Sequence, residues 1–180
     1  LVTEVNIAVL LFGVVTGSLI AERLIEIRIA RRNTSELLSR GAKEFGADHF
    51  YLFFLLHTAF FLSLLLEFVL RKEPLAFAWQ SLLIGFVLTE ALRLWMMQSL
   101  GRRWTAKVIV VPNEALVVTG PYRFIPHPNY LVVVLEFVIV PLIFDLYWTA
   151  AIFSVLNLVL LLGVRIPIER RALRWSQFPE

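Results

Sequence analysis

The 180-residue chain contains no cysteine, which excludes disulfide scaffolds, thiolate-bound zinc, iron–sulfur clusters and thiol nucleophiles. Histidine is also scarce. Of the three present, His49 and His57 are eight positions apart, which does not match the i,i+3 or i,i+4 ligand pairs of helical metal sites, so no metal is expected. Charged residues make up only 17% of the chain and hydrophobic ones 59%, against about 25% and about 45–50% in soluble domains. With a mean hydropathy of +0.78, the chain carries more apolar surface than a domain of its size can bury. This argues against a water-soluble fold. Internal repeats, low-complexity tracts and linkers are lacking as well, so residues 1–180 read as one domain.

What the chain does have is long apolar runs. Charge-free stretches extend from Val5 to Ala21, Phe50 to Leu66, Pro74 to Thr89 and Leu146 to Val164, and a fifth, Tyr130 to Phe144, is interrupted only by Glu136. Crossing about 30 Å of hydrocarbon takes about 17–25 helical residues, which each run reaches once its flanks are added. Open-ended spans in lipid must be helical. The expected fold is therefore an all-α integral membrane protein with five transmembrane helices. Glu4 replaces the basic start of a signal peptide, and helix 1 reads on through AERLIEIRIARRN without a small-residue cleavage site, so it is expected to be retained.

Fifteen of the seventeen basic residues fall on one side of these spans; only Arg71 and Lys72 fall on the other. By the positive-inside rule the N-terminus is outside and the C-terminus cytoplasmic, as in a multi-pass membrane protein. The asymmetry also accounts for a pI near 9.6 without nucleic acid. The outer loops, RKEP and the residues around Asp145, are short enough for tight helical hairpins. The bulk lies between helices 3 and 4, where VIVV and LVVT flank PNEA and predict a short β-hairpin.

Ionisable groups at membrane depth are costly and face a cavity or one another. Glu22, Arg23, Glu26 and Arg28 read as the interface where helix 1 leaves the bilayer, Glu67 as an interfacial residue, and Glu90 with Arg93 as an i,i+3 pair. Glu136 has no partner nearby in sequence and must point into protein or a polar cavity. His57, inside LLHTAFF, reads as a histidine hydrogen-bonded to another helix.

Two segments carry the densest chemistry. In GPYRFIPHPNY (120–130), Gly120-Pro121 makes a turn and Pro126 and Pro128 bracket His127, with Pro128 suited to a first helical turn. Taken alone this is a turn-rich approach to helix 4, yet it gathers Tyr122, Arg123, His127 and Tyr130 at the membrane surface. In RIPIERRALRW (165–175), Arg165 and Glu169 share a helical face, with Pro167 bending its start, while Arg170, Arg171 and Arg174 suit contact with acidic headgroups.

GPYRF-x-x-HPNY leading into an apolar helix with Glu136, followed by a last span ending in R-x-x-x-E, resembles the isoprenylcysteine carboxyl methyltransferase family, mainly over residues 95 to 175. ERLIEIRIARRNTSELLSRGAKEFG, followed by His49, is similar to its bacterial branch, whose members have five helices. The resemblance implies an integral membrane enzyme that uses S-adenosyl-L-methionine in a cytoplasmic pocket. It assigns His127, Pro128 and Tyr130 to the cofactor motif, with Tyr122, Arg123 and Glu136 beside it, and Arg165 and Glu169 to catalysis on the acceptor. This chain departs from the family pattern at Pro126, where Arg or Lys is common, at Arg170, where a second acid is common, and at Val132, where a small residue is common.

The implied reaction is O-methylation of a lipophilic, membrane-embedded acceptor, either an isoprenylcysteine-type carboxylate or a phenolic or pyrone hydroxyl, with membrane lipid as surroundings. A carboxylate is ionised at neutral pH and needs only a cation such as Arg165 to hold it. A hydroxyl needs a proton acceptor, for which Glu169 or Glu136 is suited. The alternatives are an NADPH-dependent membrane reductase of the sterol-reductase type, similar in its C-terminal cofactor region, and a non-catalytic membrane scaffold.

Overall fold

The computed structural model describes residues 2–72 and 75–177. Glu73 and Pro74 of the RKEP turn lie outside the described residues. Helix α1 (Val2–Ser39) runs unbroken through the basic segment, as the sequence leads one to expect. It is followed by β1 (Lys43–Phe45), α2 (Phe50–Arg71), α3 (Trp79–Leu100), β2 (Val108–Val110), α4 (Pro128–Ile143), α5 (Tyr147–Leu160) and α6 (Ile166–Gln177). A wide π turn over Leu161–Arg165 joins α5 to α6 without a break. Pro167 has no N–H to offer the carbonyl four residues back and crowds it, and a wide turn absorbs that defect.

Among the described residues four helical stretches are long and apolar enough to cross a membrane: Ile7–Ser39, Ala47–Arg71, Trp79–Arg103 and Tyr147–Ser176. The protein is thus a multi-pass membrane protein. The fifth expected span is shorter. At 16 residues, α4 covers about 24 Å. It cannot begin before Pro128, and Pro141 with the left-handed Asp145 (φ 52°) closes its far end. Whereas the other helices show broad apolar faces outwards, with Leu10, Val14, Leu62, Leu66, Ile84, Leu88, Val155 and Val159 all exposed, α4 buries Val132, Glu136, Phe137, Val140 and Ile143 between α3 and α5. It is the internal post of the bundle.

Lipid tails are as apolar as leucine, so the bundle is held by close packing and polar contacts. Phe60 of α2 stacks on Phe137 of α4 at 4.3 Å and Phe12 of α1 on Phe68 of α2 at 4.0 Å. Glu67 of α2 accepts the N–H groups of Trp148 and Thr149 at 3.2 and 2.8 Å, so a carboxylate from a neighbouring helix caps the start of α5 where N–H groups lack intrahelical partners.

The expected β-hairpin is not formed. Val108–Val110 pairs instead with Lys43–Phe45, antiparallel, with Glu44 opposite Ile109, and no strand covers 116–119, where Leu116 and Val118 are exposed. The turn is pulled sideways. Asn113, left-handed at φ 59°, donates its N–H to the Ser176 carbonyl at 3.0 Å, and Arg103 holds Glu114 and the Ala115 carbonyl at 2.7 and 2.6 Å. Because α1 delivers β1 to the same level, the small sheet ties the segments after α1 and α3 to α6, which packs on both strands.

Candidate active site

Two cavities open at the basic end of the bundle and share a wall. One, of about 260 Å3, is bounded by β2, the segment 116–130 and α6, and is lined by Tyr122, Pro126, His127, Pro128, Tyr130 and Glu169, with Arg103 and Lys107 at its edge. The other, of about 320 Å3, lies between α1, α2, α4 and α5. Its lining is chiefly apolar, with Ile20, Leu24, Phe53, Phe54 and Phe61, and includes His57 and Asn157. Trp104, Thr105, Asn129, Tyr130 and Arg165 line both.

The HPNY motif and the C-terminal R-x-x-x-E segment meet at this wall. Pro128 starts α4, which places His127 and Tyr130 on neighbouring turns with their rings stacked at 5.0 Å and 18°. The Tyr130 hydroxyl donates to Glu169 of α6, whose other oxygen is 3.6 Å from His127 Nδ1. Arg165 donates Nη1 to the Ala106 carbonyl at 3.2 Å, which fixes the guanidinium at the shared wall. Arg165 and Glu169, one turn apart in sequence, therefore face different surroundings: Arg165 lines both cavities, Glu169 only the smaller. Tyr122 lines the smaller cavity as well, and burial, reinforced by the Glu169 carboxylate, pushes its phenol up, so it remains a neutral donor. Arg123 is exposed, with its guanidinium 5.8 Å from the Phe124 ring, and lines neither cavity.

Glu136 also lies apart from both linings. It is 3% exposed and sits between two guanidiniums. Arg23 Nη2 spans its two oxygens at 2.8 and 2.6 Å, and Arg93 Nη2 donates to it as well. Arg23 and Arg93 are bridged in turn by Glu26, at 2.5 and 2.9 Å, while Arg93 Nε lies 3.5 Å from both Glu22 and Glu90. The carboxylates of Glu22, Glu90 and Glu136 come within 4.8 Å of one another, a spacing set by their common partner Arg93. The reading of Glu22, Arg23 and Glu26 as a loose interface gives way to a cross-bundle ion network, because α1 passes α3 and α4 at that depth. Sequence carried the signal in part: acids and arginines at membrane depth on three helices must pair across them. His57 departs from expectation too. Its Nδ1 engages the Phe53 carbonyl of its own helix at 2.8 Å and its ring meets Phe137 edge-on.

Sequence reasoning passed over Trp104 and Asn157. Both are buried, and the Trp104 Nε1 and both amide atoms of Asn157 have no hydrogen-bond partner among the described residues. An indole in a linker and one asparagine in an apolar run carry no spacing pattern; only the fold puts them on cavity walls.

Residues 81–175 match the model of the isoprenylcysteine carboxyl methyltransferase family. The chain belongs to that family. It is similar to the uncharacterized protein YpbQ of Bacillus subtilis (strain 168), 38% identical over 164 residues that cover 91% of this chain and 97% of that one. It is also similar to an uncharacterized protein of Haemophilus influenzae, 25% identical over 167 residues, 91% and 95% of the two chains. No solved structure matches. By family, the protein is a membrane methyltransferase.

Proposed function

We propose that the protein is an S-adenosyl-L-methionine-dependent O-methyltransferase acting on a lipophilic acceptor held within the bilayer, at the cytoplasmic face of a bacterial inner membrane. The observation that carries this reading is the wall shared by a cavity of mixed polarity and a largely apolar one. A water-soluble donor and a lipid-soluble acceptor need separate approaches and a common point of contact.

The smaller cavity suits the cofactor. Its aromatic and β-branched walls, Trp104, Tyr122 and Val108, match an adenine ring, the unpaired Trp104 indole N–H is a buried donor awaiting an acceptor, and the Glu169 carboxylate complements positive charge. When bound there, the cofactor supplies an electrophilic methyl group on a sulfonium. The protein's part is positioning, which alone accounts for a large share of such accelerations. His127, stacked on Tyr130, and Glu169 orient the donor. Arg165 reaches the acceptor from the shared wall, and holds a carboxylate without any base. For a hydroxyl acceptor, Tyr130 Oη takes the departing proton while its own passes to Glu169. The phenylalanines of α2 hold the tail and exclude water.

Incubation of the purified protein with host lipid extract and isotopically labelled S-adenosylmethionine, followed by mass analysis, tests the reading. A labelled lipid is expected. Binding of NADPH in place of S-adenosylmethionine and its demethylated product would overturn it.

A further inference from the structure

Asn157 lies midway along α5 in the run FSVLNLVL. It is 1% exposed, and neither Oδ1 nor Nδ2 has a partner among the described residues. Elsewhere in the bundle Ser63 pairs with Thr149 at 2.8 Å and Thr89 with the Gly85 carbonyl at 2.8 Å, while the Ser154 hydroxyl of the same helix, also without a partner among the described residues, lines neither cavity. Buried polar groups in native proteins are nearly always hydrogen-bonded, so a doubly unpaired amide on a cavity wall points to what the cavity holds. Asn157 lines the larger cavity and not the smaller one. It stands eight residues before Arg165, about 12 Å of helix rise from the shared wall.

We infer that Asn157 reads a second polar group of the methyl acceptor, set deeper in the bilayer than the oxygen that is methylated, and that this group presents a donor beside a carbonyl. An amide offers one acceptor and two N–H donors in a plane. An ester, ether or carboxylate only accepts and would leave Oδ1 unpaired, whereas a secondary amide, or a hydroxyl next to a carbonyl, satisfies both atoms. The group is neutral. The ion network reaches the same cavity through Arg23, Glu26 and Arg93, and both guanidiniums are already held by Glu26 and Glu136, so neither is left to hold an anion. The acceptor class is therefore an amphiphile with two polar groups, one at the shared wall and one within its apolar part.

This rests on the reading that the larger cavity takes the acceptor. The test uses two probes of equal length, N-hexylhexanamide and hexyl hexanoate, which differ in an N–H for an ether oxygen. Their binding to the full chain in lipid nanodiscs is followed by thermal shift for the natural protein, Asn157→Leu and Asn157→Ala; comparing ratios between proteins cancels unequal partitioning of the probes. The preference for the amide should be about tenfold greater in the natural protein than in either variant, as expected for one hydrogen bond. Without probe, Asn157→Leu should melt at or above the natural temperature because an unpaired amide has been removed. An equal preference in all three proteins, no binding of either probe, or a lower melting temperature for Asn157→Leu together with a retained amide preference in Asn157→Ala would overturn the inference. Methyl transfer to lipid with no amide preference would sink this inference alone, while an amide preference without methyl transfer would sink the proposed function.

Discussion

The Tyr130 hydroxyl donates to the Glu169 carboxylate, which joins two motifs 39 residues apart in sequence into one unit at the wall between the cavities. Tyr130→Phe keeps the ring that stacks on His127 and removes only this bond. A hydrogen bond to a charged group contributes about 1.5–3 kcal/mol, so cofactor affinity should fall by roughly 10- to 100-fold, as measured by calorimetry with the demethylated cofactor. An unchanged affinity would mean that the pair serves the fold and not the cofactor.

His127 and Glu169 line only the smaller cavity, while Arg165 lines both. His127→Ala and Glu169→Gln should raise the apparent Michaelis constant for the cofactor. Arg165→Ala should lower turnover with cofactor affinity within about threefold, the pattern of an interaction made mainly in the transition state. Arg174→Ala, on the exposed side of α6, should change neither parameter. Parallel losses of affinity in Arg165→Ala and His127→Ala would remove the distinction between the two roles.

Removing Glu136 strips the carboxylate shared by Arg23 and Arg93. Breaking one partner of a buried ion pair costs about 3–5 kcal/mol, so Glu136→Ala should lower the melting temperature markedly. The cofactor affinity of the protein that remains folded should be preserved, since Glu136 lines neither cavity. A stable Glu136→Ala protein that has lost cofactor binding would return Glu136 to the cofactor site.

How far these features are legible in the sequence follows from their range. The continuation of α1 through Asn33, the turn at Asp145 and the start of α4 at Pro128 are local, set by apolar runs and by proline, and all read directly; the last turns of α1 to Ser39 do not. The meeting of HPNY with Arg165 and Glu169 is legible only through resemblance, because nothing local fixes how α6 leans on α4. The β-strand at Val108 reads correctly as a strand but with the wrong partner: the β-branched run declares its conformation, and the long α1 supplies Lys43–Phe45 from a distance. Arg23 is the hardest case. From sequence it belongs to an interface, and only the passage of α1 beside α3 and α4 makes it a partner of Glu136.

Gly120 opens the segment that carries the motif. Its φ is +60°, and a Cβ there would lie 1.9 Å from Ser99 Oγ and 2.8 Å from Ser99 Cβ. Gly120→Ala therefore combines a left-handed backbone that side chains disfavour with a clash against α3, and should cost about 1–3 kcal/mol. Differential scanning calorimetry should show a lower melting temperature, with weaker cofactor binding as residues 121–130 shift. A variant as stable as the natural protein would show that this turn tolerates displacement.

Topology is testable because the chain has no cysteine. A single cysteine at Lys72 should react with an impermeant probe from outside intact cells, and one at Lys43 only after permeabilisation, as the distribution of basic residues requires. The opposite pattern would invert the protein and move both cavities to the outer face.

The central claim is that a methyl group passes at the wall formed by Trp104, Thr105, Asn129, Tyr130 and Arg165 from the more polar cavity to the largely apolar one. Its most direct test is a single-turnover reaction in nanodiscs containing host lipid, with methyl-labelled S-adenosylmethionine and organic extraction of the product. The account predicts that label enters the organic phase with the natural protein, and that Arg165→Ala slows this transfer by at least about 100-fold, roughly 2.7 kcal/mol of transition-state stabilisation, while still binding the cofactor. Label that stays in the aqueous phase with the natural protein, or transfer at full rate in Arg165→Ala, would contradict it.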